Sequence, residues 1–111
     1  MTRSDDQRIA DILDACDELE GVVGMRADGL TPDVVLLRAA ERLLEIIGEA
    51  ANSLSEAGAK QHPDVHWRSI ARLRIVLAHR YHRTDPSLIW SYATEQAPAL
   101  AAALRGVSGS E

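Results

Sequence analysis

The 111-residue chain contains no phenylalanine, and aromatic residues make up only 4 % of it. Strands favour aromatic and β-branched side chains, so this shortage weighs against a β-sandwich core. Cys16 is the only cysteine and has no intrachain disulfide partner. A reducing compartment is the simplest reading, and the expected location is cytoplasmic. No run approaches the roughly 20 apolar residues that span a bilayer, and no N-terminal stretch has the length and apolarity of a signal peptide. No membrane partner is therefore expected. What is present is 46 % apolar content, supplied mainly by Leu, Ile, Val and Ala, a mixture that suits helix packing. The length fits a single domain over residues 1–111, with a real but modest core.

The net charge is −5, which by itself argues against nucleic acid, but the charges are unevenly spread. Between residues 60 and 83 lie six basic residues against Asp64 alone, whereas the remainder holds six basic and sixteen acidic residues. His62, His66, His79 and His82 all fall in this basic segment. Such a stretch on an acidic chain marks either a local anion site or a solvated helix face.

Helical signals run through the chain, and no segment alternates with a period of two. Ser4 and Gln7 form a capping box, followed by Ile9, Ile12, Leu13, Cys16 and Leu19 on one stripe. Cys16 is read as core rather than as a reactive thiol. Three glycines between residues 21 and 30 break the pattern. Thr31-Pro32 starts a second helix, running to about Ala57 and ended by Gly58. Leu36, Ala40, Leu43, Ile47, Ala50 and Leu54 form its packing seam, with Leu37, Leu44 and Ala51 as a second stripe. A face that wide is covered either by two helices of the same chain or in part by a second subunit. A third helix is expected from about Val65, N-capped by Asp64, to between His79 and Tyr81. Asp85-Pro86 starts a fourth, with Ile89, Ala93, Ala97, Leu100 and Leu104 inward. Pro98 should kink or split that helix. Residues 107–111 read as a frayed tail. The pattern implies an all-α, antiparallel bundle of four to five helices.

The most informative segment runs from Ala71 to Tyr81 and contains Arg74, four residues, His79, one residue and Tyr81. It resembles the R-x4-H-x-Y signature of HepT-like proteins in the HEPN superfamily. Trp67-Arg68, Asp85, Trp90 and the run Ile46-Ile47-Gly48-Glu49-Ala50 fall where that family has similar residues. The resemblance covers the chain from about Asp5 to Leu104. It implies the toxin half of a bacterial toxin–antitoxin pair, a metal-independent ribonuclease acting on RNA with no cofactor. The family usually carries Asn or another polar residue directly after the arginine, and here that position is Ile75.

The chemistry fits these residue types. RNA supplies its own nucleophile, the 2′-hydroxyl. An imidazole with an ordinary pKa of ~6.5 can take or return a proton at neutral pH. A guanidinium offers a bidentate fork to phosphate and stays charged as negative charge builds. His79 is accordingly the candidate general base or acid and Arg74 the candidate phosphate clamp. In an ideal helix, residues five apart stand ~140° apart. The helix must therefore end or bend between them, or the site must be composed across two subunits. The resemblance implies the latter, with two motif copies at the cleft of a homodimer or higher oligomer. It also implies a minimal nucleotidyltransferase antitoxin that attaches AMP to Tyr81. Without the resemblance, an arginine or histidine near a helix end more often caps carbonyls or faces solvent. A HEPN-like homodimeric binding or regulatory module that has lost turnover is the second reading, favoured by Ile75. His62 and His66 are spaced for a metal only if helical, and Pro63 lies between them, so no metal site is expected. Trp67 and Trp90 are read as core anchors and Glu49 as a solvated edge residue.

Overall fold

A computed structural model describes residues 3–78 and 85–106. Among these residues all regular structure is helical. Two long antiparallel helices, α1 (Asp5–Asp28) and α2 (Asp33–Ser53), form the frame. The short helices α3 (Glu56–Lys60), α4 (Trp67–Ala71), α5 (Leu73–Ala78), α6 (Pro86–Ser91) and α7 (Ala97–Leu104) wrap it. A π-helical turn, Tyr92–Gln96, joins α6 to α7.

The capping box forms as expected, with Gln7 N–H donating to Ser4 Oγ at 3.1 Å and Ser4 N–H donating to Gln7 Oε1 at 2.8 Å. Helix α1 does not stop at Gly21, however, but continues through Gly24 to Asp28. Glycine in a helix interior costs ~1 kcal/mol relative to alanine. Val22 and Val23, packed against the core, hold this stretch helical despite that cost. The turn is made at Gly29, whose φ of 73° lies in the left-handed region that suits glycine.

Pro32 is the N-cap residue of α2 rather than its first helical residue, and the helix ends at Ser53, earlier than Ala57. The early stop has a specific partner. Asp5, in the first turn of α1, accepts hydrogen bonds from Ser55 N–H at 3.0 Å and from the Ser55 hydroxyl. Ser55 in turn caps α3 by accepting from Gly58 N–H at 3.0 Å. A Cβ on Gly58 would lie 2.6 Å from the Asp5 carboxylate, so this residue serves close approach within α3 rather than helix termination.

The third expected helix is two short ones. Asp64 does not cap it; the chain becomes helical at Trp67, after His66. Residues 61–66 instead form turns held by the Trp67 indole, which donates to the carbonyls of Ala59 at 3.1 Å and His62 at 3.2 Å. The path from α4 to α5 turns at Arg72. The expected end between His79 and Tyr81, and the tail over residues 107–111, lie outside the described residues.

Asp85 caps α6 through Ser87 N–H at 2.9 Å, as its sequence predicts. The inward stripe Ile89, Ala93, Ala97, Leu100 and Leu104 is buried throughout. Pro98 cannot donate a backbone hydrogen bond to the preceding turn. The chain accommodates this ahead of Pro98 with the π-turn, in which Ala97 N–H donates to Tyr92 C=O, five residues back. The α2 seam residues Leu36, Ala40, Leu43, Ile47 and Ala50 are buried, as are Leu44 and Ala51 of the second stripe. Helices α1, α4, α5 and α6 all pack on α2, so its wide face is covered within the chain. Trp90 is buried, with the Arg26 guanidinium 4.5 Å from its ring centre.

The Asp5 clasp has a pH signature. Its hydrogen bonds from Ser55 hold the carboxyl below the ordinary carboxylate range. A depressed folded-state pKa contributes stability that is present above the unfolded value and lost as pH falls through the folded one. Asp5→Asn should therefore lower the melting temperature at neutral pH and flatten its decline below about pH 4. Melting curves of both proteins between pH 3 and pH 7 check this, and parallel declines would count against the clasp.

Candidate active site

Arg74 sits in the first turn of α5 and is exposed. Its position is fixed from behind by α2. A Cβ built on Gly48 would lie 2.8 Å from the Arg74 backbone nitrogen, 3.0 Å from Leu73 Cβ and 3.4 Å from the Ile70 carbonyl oxygen. Only a residue without a side chain lets the α4–α5 junction lie directly on α2. The spacing Ile46-Ile47-Gly48 was legible in the sequence, but the reason for the glycine was not.

The neighbouring side chains define the electrostatics. Trp67 is anchored beyond the C-terminal end of α2, while Leu73 and Arg74 lie against Gly48, inside it. The chain therefore runs back along α2, carrying Arg68, Arg72 and Arg74, all exposed. Among the described residues none forms an ion pair with these three. By contrast Arg42, on α2, is paired with Glu45 at 3.0 Å and Glu49 at 3.7 Å. The α4–α5 surface thus presents guanidinium groups that form no ion pair among the described residues, a condition that favours attracting a phosphate backbone to an acidic protein.

Helix α5 remains α-helical from Leu73 to Ala78. Among the described residues the bend in this region comes at Arg72, before Arg74. His79 and Tyr81 lie outside the described residues. Ile75, in the place of the family's polar residue, is 48 % exposed, and Val76 beside it 38 %. Leu73 and Leu77 anchor the opposite face of α5 in the core.

The other candidates are structural. Cys16 is buried, and burial pushes its thiol up to about 11, which suits a core residue and not a nucleophile. The His62 ring stands edge-on to Trp67 at 6.3 Å between centres. Among the described residues no group of three His, Cys, Asp or Glu side chains is placed to share a metal. Glu49 is exposed on the Arg42 edge. One residue escaped the sequence reading. Glu41, only 5 % exposed, is the one buried charged side chain among the described residues, and it pairs with Arg38 at 2.9 Å. Its signal was an acid beside Ala40 and three residues before Leu44, inside the apolar seam.

An all-α bundle that presents an arginine-bearing helix on a glycine-flattened seam is the class of protein defined here, a HEPN-like domain. The chain belongs to the ribonuclease HepT-like family, whose model matches residues 12–107. A protein of Caldanaerobacter subterraneus subsp. tengcongensis that carries an RNase name is 38 % identical over 90 residues, covering 80 % of each chain. One from Thermococcus cleftensis, named as a ribonuclease HepT, is 39 % identical over 59 residues, which is 53 % of this chain and 54 % of that one. A third, from Methanocaldococcus jannaschii and also named as an RNase, is 32 % identical over 92 residues, covering 83 % of this chain and 71 % of that one. No solved structure matches the chain. No helix among the described residues is long and apolar enough to cross a membrane.

Gly48 offers a direct test of the seam. Gly48→Ala gains up to ~1 kcal/mol of helix propensity. Pushing a methyl into a packed junction costs ~1–3 kcal/mol, and here it meets backbone, which cannot swing aside. The clash should win, lowering the melting temperature by several degrees and shifting Arg74. A variant at least as stable as wild type, with unchanged RNA cleavage, would show that the junction has room.

Proposed function

We propose that this protein is a metal-independent RNA endonuclease, the toxin of a bacterial toxin–antitoxin pair acting in the cytoplasm. The observation that carries this reading is membership of the ribonuclease HepT-like family together with the sequence Arg74-x4-His79-x-Tyr81. The exposed guanidiniums of Arg68, Arg72 and Arg74, which form no ion pair among the described residues, support it.

In this reading Arg74 grips the scissile phosphate and stabilises the charge that develops there. His79 removes the proton from the 2′-hydroxyl, whose oxygen attacks the adjacent phosphorus. The bond from phosphorus to the 5′-oxygen breaks, and an imidazolium returns a proton to the leaving oxygen. The products are a 2′,3′-cyclic phosphate and a 5′-hydroxyl. A homodimer supplies the second motif copy. Since the wide face of α2 is covered within the chain, the exposed Ile75 and Val76 on α5 are the better candidates for the dimer contact. A partner nucleotidyltransferase antitoxin silences the protein by joining the Tyr81 hydroxyl oxygen to the α-phosphorus of ATP with release of pyrophosphate, so that the attached AMP adds bulk and a phosphodiester charge near Arg74.

Ile75 supports a second reading, a non-catalytic HEPN-like binding or regulatory homodimer. An apolar residue, 48 % exposed, stands where the family's polar group would approach the phosphate.

Induced expression separates the two. Arg74→Ala and His79→Ala should each abolish toxicity and RNA cleavage, by a hundredfold or more for loss of the proton-transfer group. The exposed Arg74 should be replaced without a large change in melting temperature. Toxicity that persists in both variants would remove the ribonuclease assignment. Sedimentation should show a dimer at micromolar concentration, weakened by Ile75→Asp. Incubation with ATP and the partner nucleotidyltransferase should add AMP mass that Tyr81→Phe abolishes, and modification confined to Tyr92 would exclude Tyr81 as the target.

A further inference from the structure

The buried Glu41 is a charge that the proposed cleavage step does not use. Removing a carboxylate from water costs several kcal/mol, and an ion pair offsets this only where its geometry is good. Among the described residues Glu41 has one ionic partner, Arg38, at 2.9 Å. The two ends of this pair are unlike. The Glu41 side chain is 6 % exposed and that of Arg38 64 %. Such an arrangement does little for the core. It does fix a guanidinium at the surface, because a rigid carboxylate beneath it restrains a side chain that would otherwise lose ~2 kcal/mol of rotamer entropy on binding anything.

The place matters as much as the pairing. Glu41 is seven residues, two helical turns, before Gly48, so the two share the face of α2 on which the α4–α5 junction lies. Arg38 is one turn further on. From Gly48, where the Arg74 backbone rests, to Arg38 is ten residues, ~15 Å along the helix. One nucleic-acid strand covers that distance in a few phosphates. Only one nitrogen of Arg38 is committed to Glu41, leaving the remaining N–H donors of its fork free. Arg42, one turn away, differs: two carboxylates close on it from the same helix.

We infer that Arg38, held by the buried Glu41, is a second phosphate-contacting residue for the RNA strand whose scissile phosphate Arg74 engages. Glu41 is its positioning residue. This rests on the ribonuclease reading and adds a strand-binding subsite to it.

The test uses the full-length protein and a fluorescent single-stranded RNA whose 2′-hydroxyls are methylated, so that it binds without being cut. Affinity is measured across salt concentration for wild type and for the double variant Arg38→Gln/Glu41→Gln. This change leaves the net charge unaltered and strands no buried carboxylate. One lost phosphate contact on a single strand should reduce the slope of log affinity against log salt by about 0.7. With cleavable RNA, KM should rise severalfold while kcat stays within about twofold. A purely structural pair would move the melting temperature and leave the slope alone. Arg42→Gln/Glu45→Gln is the matched control and should keep the wild-type slope. An unchanged slope in the first variant, or an equal loss in the control, overturns the inference while leaving the ribonuclease reading in place. If wild type neither binds nor cuts RNA, that reading falls first. Should the double variant fail to fold, Arg38→Lys keeps a cation for Glu41 but loses the planar fork. A severalfold rise in KM is then expected, and an unchanged KM overturns the inference.

Discussion

The contact on which the rest of the structure depends is backbone against backbone, where the α4–α5 junction meets α2 at Gly48. A Cβ there would come within 2.8 Å of the Arg74 nitrogen. Because it is absent, Leu73 and Leu77 reach the core and the opposite edge of α5 stays in solvent. Arg74 is therefore exposed on a rigid base rather than on a free loop. Side-chain packing at normal helix separation would hold α5 further out and leave more play in the arginine. Functional groups gain from such restraint, since small displacements at a reacting centre cost large factors in rate.

Charge is arranged on the same principle. Many of the acidic residues are engaged in helix caps and in pairs, some within a helix, as Glu45 with Arg42, and some across the fold, as Asp5 with Ser55 and Asp17 with Arg105. Among the described residues Arg68, Arg72 and Arg74 of the basic segment form no such pair. Arg68 and Arg74 lie on the short helices α4 and α5, and Arg72 at the turn between them, all three exposed. A protein of net charge −5 can thus carry a surface that attracts an anionic polymer. The pairing of Arg38 with Glu41 follows a different rule, in which a buried acid positions an exposed base.

Helix existence was legible in the sequence because period and capping are local. Ser4 and Gln7, Asp85 and Pro86, and the stripe from Ile89 to Leu104 read the same in the sequence as in the fold. Composition and pattern were likewise sufficient for an all-α class and for a core Cys16. The misplaced boundaries have one cause. Gly21 and Gly24 looked like breaks, but helix α1 runs through them because Val22 and Val23 pack on the core. Helix α2 looked longer because nothing nearby in sequence announces that Asp5, fifty residues away, will claim Ser55.

What the sequence determined by itself was therefore the helical class, the inward stripes and the spacing of the candidate chemistry, since each depends on neighbours within a turn or two. Only tertiary structure decided that α2 is covered by its own chain, that Gly48 is a contact and that Glu41 is buried with its charge. A helical period says which residues share a face. It does not say what that face meets, because burial is a property of two surfaces, and the second arrives from a distant part of the chain.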